Sequence, residues 1–443
     1  MKADSHDLFI PRIEPADIMW SVPPPTLAVA SRTHDVTRVD HSDNVAKVLH
    51  DLTKSSTDSI LHILPKDSVL FPAVPQELTT LAVPSKVKLT DEYLLPVLHQ
   101  ARLIKTPEEV QLIKKANEIS SRAHETVMRV LGAAVRGAIT KGKGAGETRP
   151  LLPSEWLIEK EAEAEAIFVA SCRREGSIHQ AYLPIVAAST RASTLHYCCN
   201  DREFSWGPIR PHDHHNHNEL AHGDERELAP QVLLIDAGCE WTNYASDSKL
   251  SFSVVRASRS ITRSYPTVTR TMPVGNGGRF TPEAKAIYTL VHEMQRRSFE
   301  AIRPGLHWDA IQLICHQTLV RGFQKLGIFK SPNSPGSGSW NSAEAIIASG
   351  ISAAFFPHGV GHSLGMDVHD VPSASKPLVN PTIQKGQGEG HPSFYTYLRL
   401  RLPLEVGMVV VSNPIIIHCG VEPRGLTFAT RPSNQASTSH PIY

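Results

Sequence analysis

No CxxC pair, no apolar stretch long enough to span a bilayer and no excess of charge of either sign occur in these 443 residues. The six cysteines, Cys172, Cys198, Cys199, Cys239, Cys315 and Cys419, are scattered, and two adjacent ones make a poor disulfide framework. A disulfide-stapled miniprotein is excluded, and a reducing compartment is expected. A membrane-spanning helix needs a run of roughly 18 apolar residues, and none exists; residues 1–10 also lack the apolar core of a leader, so the expectation is a cytoplasmic protein with no membrane partner. Lys+Arg 45 against Asp+Glu 44 gives +1, which removes the electrostatic reason to expect a nucleic acid. Internal repeats are absent too. Histidine is what the chain has in quantity, 23 in all, and imidazole mixed with carboxylates raises the expectation of metal or proton-transfer chemistry.

The first hundred residues mix short apolar runs, 59–64 and 69–74, with the prolines Pro23, Pro24 and Pro25; they read as a small α/β domain over 1–100. A second domain, 101–443, opens at Thr106-Pro107-Glu108-Glu109. There Thr can cap a helix, Pro suits its first position and Glu109 can reach back. Ile113, Ala116, Ser120, Ala123, Val127 and Val130 follow at spacings of three and four, which predicts a narrow helical face able to cross another helix closely. A second helix is expected from Thr281-Pro282-Glu283 to near Arg303-Pro304-Gly305, and a third over about 309–323. Strands are expected at 182–187, 194–198, 232–237 and 244–247. Helices alternating with hairpin-like strands indicate an α/β (α+β) fold and not an all-β sandwich. Stretches 140–148, 211–222 and 331–342 read as loops, and the His-rich one, 211–222, as a solvated loop.

Two segments carry chemistry. Leu233-Leu234-Ile235-Asp236-Ala237-Gly238 leads into Asn243-Tyr244-Ala245-Ser246-Asp247, an apolar strand ending in Asp, a turn and a second strand ending in Asp. A hairpin of that kind places two carboxylates a few ångström apart. Like charges so close need a cation, and hard oxygens suit Mn²⁺, Mg²⁺ or Zn²⁺; as turn and cap residues the same aspartates would have only a local role. The second segment, Pro357-His358-Gly359-Val360-Gly361-His362-Ser363-Leu364-Gly365-Met366-Asp367-Val368-His369-Asp370, sets three histidines and two aspartates among glycines. Glycine there lets the backbone approach a ligand while imidazoles project into one cavity.

Together these motifs closely resemble the Xaa-Pro aminopeptidase and prolidase branch of the pita-bread metallopeptidases, in its fungal form. The likeness extends to Gln180-Ala181-Tyr182-Leu183-Pro184-Ile185-Val186 with Leu195-His196-Tyr197, to Arg102-Leu103-Ile104-Lys105-Thr106-Pro107-Glu108-Glu109, and to Phe9-Ile10-Pro11-Arg12-Ile13. The resemblance implies a smaller α/β N-terminal domain ahead of a pita-bread catalytic domain. It also implies a metallo-exopeptidase that removes the residue before proline from proline-containing peptides, in a subunit that commonly forms homodimers. The family's centre holds two metal ions, usually Mn²⁺, on two Asp, one His and two Glu, and a hydroxide bridging them attacks the carbonyl. Asp236, Asp247 and His362 correspond to ligands; His196, His358 and His369 correspond to the catalytic histidines around them.

The pattern departs from the family in three places, one of them an extra 248–267 between Asp247 and Val268-Thr269-Arg270-Thr271, the counterpart of a short strand that in the family follows directly. Gly407-Met408-Val409-Val410 runs into Asn413-Pro414 where the family has Glu-Pro, while Val421-Glu422-Pro423 stands just beyond; reading 411–420 as an insertion makes Glu422 the metal ligand. The last Glu ligand has no counterpart in 424–443. Loss of that ligand points to an alternative, a catalytically impaired pita-bread protein acting as a binding module. A Xaa-Pro dipeptidase is the alternative within the same chemistry.

Overall fold

The structure, a computed structural model, describes residues 5–53, 58–65, 71, 87–136, 158–205, 228–247, 251–253, 269–376 and 390–412. The chain divides into two compact units, Met1–Leu98 and His99–Tyr443. In the first, β1 (Asp7–Ile10) pairs in parallel with β2 (Arg38–His41), Asp7 opposite Arg38. Parallel neighbours need a crossover, and α1 (Leu27–Thr33) supplies it, its first turn held by the Val29 N–H donating to Thr26 Oγ1. Helix α2 (Val45–Thr53) follows. β3 (Ser59–His62) and β4 (Val87–Thr90) form a second parallel pair. The apolar run 69–74 lies outside the described residues except for position 71.

Helix α3 (Leu94–Leu103) belongs to the second unit from His99 onward. Helix α4 (Pro107–Arg136) begins where the capping signal places it: the Glu109 N–H donates to Thr106 Oγ1 at 3.3 Å, and Glu109 Oε2 accepts from the Thr106 N–H at 2.7 Å. These reciprocal bonds satisfy two donors that the first turn leaves without helical partners. Ile113, Ala116, Ser120, Ala123 and Val127 are buried on the predicted face, and Val130 is half-buried. Ile119, Ala123 and Val127 of α4 share one core with Ile167 and Phe168 of α5 (Glu161–Arg174) and with Leu233 and Ile235 of β6 (Gln231–Asp236).

β6 is the central strand of an antiparallel sheet between β5 (Ile185–Ala188) and a later strand, β10 (Arg270–Val274), with Asp236 opposite Ile185 and Ile235 opposite Arg270. β7 (Glu240–Trp241) and β8 (Tyr244–Ala245) form a short hairpin. A second antiparallel sheet has the order β11 (Gly361–Ser363), β12 (Val409–Ser412), β9 (Ser251–Ser253). The strand expected at 194–198 does not form. A 3₁₀ turn, Ser189–Ser193, precedes it. The chain beyond is tied by side chains: Tyr197 donates to Glu161 Oε2 at 2.7 Å, and Asn200 bonds the Val186 N–H and the Pro184 carbonyl. Those bonds take the place of a strand ladder.

Helix α6 (Pro282–Ala301) starts on its Thr281 cap, which accepts from the Ala284 N–H at 3.2 Å. α7 (Trp308–Lys325) carries Trp308, Ile311, Cys315, Leu319 and Phe323 into one core with Leu290 and Met294 of α6. Among the described residues no helix is long and apolar enough to cross a membrane.

One histidine of α7 gives a pH-dependent expectation. His316 is buried in that core, and burial pushes its pKa from the ordinary 6.5 down to about 3. Between those values the unfolded chain takes up a proton that the folded chain refuses. Stability is therefore complete above about pH 6.5 and falls as pH drops towards 3, with a slope of at most ~1.4 kcal/mol per pH unit from this ring. Urea unfolding at several pH values checks it: His316→Met should flatten the dependence in that window, and an unchanged slope would remove His316 as its source.

Candidate functional site

The sheet ends in the second unit bring the sequence-selected residues together, though not by the expected hairpin. Asp236 closes β6, whose partners are β5 and β10, while β7 and β8 pair with each other. Asp247 follows β8 only after the Gly238–Cys239 segment and Ser246 have locked together. The Cys239 N–H donates to Ser120 Oγ and Ser246 Oγ, both at 2.9 Å. Any Cβ at Gly238 would lie 2.2 Å from the Ser246 carbonyl oxygen, so this close crossing demands glycine. The two carboxylates converge on a residue to which the sequence gave no role. Tyr182 Oη donates to Asp236 Oδ1 at 2.7 Å and lies 3.4 Å from Asp247 Oδ1.

His362 sits on β11, in register with Val411 of β12. Its Nε2 is 2.8 Å from Asp247 Oδ2, and its Nδ1 is 3.0 Å from the Ser363 carbonyl. Each ring nitrogen thus faces an acceptor, and a neutral imidazole carries only one N–H. The ring can meet both acceptors as imidazolium, or as a neutral ring with a cation between Nε2 and the carboxylate. That is the donor chemistry of a divalent metal site: two carboxylates and an imidazole whose second nitrogen is oriented by a backbone carbonyl. Even so, no group of three or more His, Cys, Asp or Glu among the described residues stands close enough together to hold a metal ion. Glu422 and Asn413 lie outside the described residues.

The remaining histidines flank this cluster. His369 packs edge-on against His362, ring centroids 4.5 Å apart. Burial, helped by the nearby His362 and Arg399, lowers its pKa to about 3, with Asp247 opposing. His358 meets His196 edge-on at 6.4 Å. The His358 Nδ1–H donates to its neighbour's carbonyl, Gly359 O, at 2.7 Å, which leaves Nε2 as the accepting nitrogen.

The glycines of this segment are required by protein packing. A Cβ at Gly361 would be 1.7 Å from the Val411 carbonyl oxygen, one at Gly359 2.8 Å from the Leu398 Cα, and one at Gly365 2.3 Å from Asp370 Oδ2. They admit neighbouring backbone and the Asp370 carboxylate. Asp370 in turn is buried against Lys105, Nζ to Oδ2 2.8 Å, and Arg102, Nη2 to Oδ1 2.5 Å. This locks the turn that carries His369 to the start of the second unit. Gln312 is a further residue that sequence reasoning missed, since nothing around it marks a site.

Residues 111–430 match metallopeptidase family M24. A probable Xaa-Pro aminopeptidase of Paracoccidioides brasiliensis (strain Pb18) is 31% identical over 420 residues, covering 95% of this chain and 70% of that protein. One from Podospora anserina is 29% identical over 444 residues, covering 100% and 74%. Among solved structures, Escherichia coli aminopeptidase P in complex with substrate superposes with a TM-score of 0.61 at 22% identity, covering 94% of this chain and 71% of that one. Proline aminopeptidase P II from Yersinia pestis gives 0.62 at 22% identity, covering 94% and 73%.

Proposed function

The chain belongs to metallopeptidase family M24, and from that premise we propose that it is a metal-dependent exopeptidase removing the N-terminal amino acid from peptides with proline in second position. The observation that carries the reading is the chain of contacts through Asp247: the Tyr182 hydroxyl reaches both Asp247 and Asp236, and His362 Nε2 faces Asp247 at 2.8 Å. Asp236, Asp247 and His362 would hold the metal, with Glu422 as a further carboxylate. Hard oxygen donors favour Mn²⁺, of which the family pattern implies two per subunit. When bound, the metal supplies a water acidic enough to attack at neutral pH and polarises the scissile carbonyl.

The rest of the chemistry falls to side chains. Tyr182 keeps the two carboxylates in register by sharing its hydroxyl with both. His358, with its Nδ1–H committed to Gly359, presents Nε2 as the atom that takes and returns a proton. Cleavage before proline releases a secondary amine, which must gain a proton as it leaves; His358 is the group placed to deliver it, while His369, kept neutral by its burial, lines the site beside His362. His196 is exposed and stands edge-on to His358, where it can meet the incoming peptide.

The test is release of free amino acid from a Xaa-Pro tripeptide by the purified chain, first stripped by a chelator and then given Mn²⁺. Release that needs the metal and spares a Xaa-Ala control supports the reading. A folded sample that binds the peptide without cleaving it would make the chain a binding module instead, and cleavage confined to Xaa-Pro dipeptides would make it a dipeptidase.

A further inference from the structure

Helix α7 buries three polar side chains on one face, Asp309, Gln312 and His316, among the apolar Ile311, Cys315 and Leu319. An unpartnered buried amide costs about 1–3 kcal/mol, so the partners of each group define what it does. Asp309 accepts two bonds from Arg401, at 2.7 and 3.2 Å. Gln312 holds the chain entering β11. Its Oε1 accepts from the Val360 N–H at 2.7 Å, and its Nε2 lies 3.3 Å from the His358 carbonyl and 3.3 Å from His316 Nε2.

Only one arrangement of protons satisfies these contacts. The Val360 N–H is a donor, so the amide oxygen must face it. Both Nε2 hydrogens then point at acceptors, the His358 carbonyl and His316 Nε2. His316 must accordingly carry its proton on Nδ1, which donates to Ser352 Oγ at 3.0 Å. The ring is held by stacking on Phe394, centroids 3.7 Å apart and 18° between planes, with Phe356 tilted against it at 5.0 Å. A flipped Gln312 would set donor against donor at Val360.

The consequence reaches the site through one rigid unit. The Gly359–Val360 peptide is planar, with the Val360 N–H on one side and the Gly359 carbonyl on the other. Gln312 fixes the N–H, and the carbonyl takes the His358 Nδ1–H at 2.7 Å. We propose that Gln312, its amide orientation locked by His316, is a positioning residue that sets the direction of the His358 imidazole. The proposal rests on the reading of His358 as part of the reacting site.

Gln312→Met keeps the volume and removes all three bonds. A misplaced catalytic group loses about 10- to 100-fold in rate, so kcat should fall by that amount with KM unchanged, and hydrogen exchange at the Val360 amide should accelerate. Gln312→Glu retains the acceptor for Val360 and should recover the amide protection and most of kcat. Leu319→Val, a core change on the same helix that removes none of these hydrogen bonds, should lower stability and leave kcat alone. The proposal is overturned by unchanged Val360 exchange in Gln312→Met, or by a kcat no lower than that of Leu319→Val. If Gln312→Met does not fold, accelerated Val360 exchange in Gln312→Glu overturns it. Should the unsubstituted chain release no amino acid, the proposed reaction has failed, and Val360 exchange decides the clamp alone.

Discussion

Asp247→Asn should leave a folded protein that releases the N-terminal residue of a Xaa-Pro peptide on the order of a thousandfold more slowly. A divalent metal contributes several kcal/mol of charge stabilisation, and each 1.36 kcal/mol is about tenfold in rate. Asp247 is the residue on which the cluster turns, because His362 Nε2 lies 2.8 Å from one of its oxygens and Tyr182 Oη 3.4 Å from the other. Stability should separate this from a folding defect. Without metal the substitution relieves repulsion between two neighbouring carboxylates, so the unfolding midpoint should hold or rise. With Mn²⁺ the unsubstituted chain gains stability by mass action, and the variant should gain little. Turnover within tenfold of the unsubstituted chain, or an undiminished Mn²⁺-induced shift, would sink the assignment.

Asp370→Asn has the largest expected effect on stability. Its carboxylate and the Lys105 ammonium are each 1% exposed, and burial lowers the Lys105 pKa against the pull of Asp370. Removing one partner of a buried pair leaves a charge without compensation, which costs about 3–5 kcal/mol. Arg102 is partly solvated and also pairs with Asp367 at 2.8 Å, so it loses less. The companion variant Lys105→Met/Asp370→Leu removes both buried charges and should recover most of the loss. Denaturant unfolding of the single and double variants measures this; a loss below about 1 kcal/mol for Asp370→Asn would mean that water reaches the pair. The Asp367-Val368-His369-Asp370 motif thus divides its labour, with His369 facing the cluster and Asp370 anchoring the turn that bears it.

Much of this is legible in the sequence. Thr106 with Glu109 and Thr281 with Pro282 marked two helix starts because capping is decided within a single turn of chain. The small face from Ile113 to Val127 announced a close-packed helix, since burial follows the 3.6-residue period. Asp236, Asp247 and the histidines from His358 to His369 stand out by type and crowding, and the family resemblance is what implies their roles. The strand expected at 194–198 failed because period-two alternation cannot reveal that Tyr197 and Asn200 will bond to Glu161 and to the backbone of β5. The hairpin reading of Asp236 and Asp247 failed because spacing does not report which strands pair.

The sequence by itself determined the inventory of candidate donors and the starts of the long helices, both properties carried by residues within a few positions of one another, whereas the close approaches that require glycine at 359 and 361 were set by the tertiary packing against Leu398 and Val411. Only the tertiary structure decided that Tyr182 serves both aspartates, that Asp247 faces His362, that Lys105 neutralises Asp370 and that Gln312 holds the peptide beside His358. These contacts join residues 46 to 265 positions apart in the chain. They depend on where whole strands and helices come to rest, which no local pattern encodes.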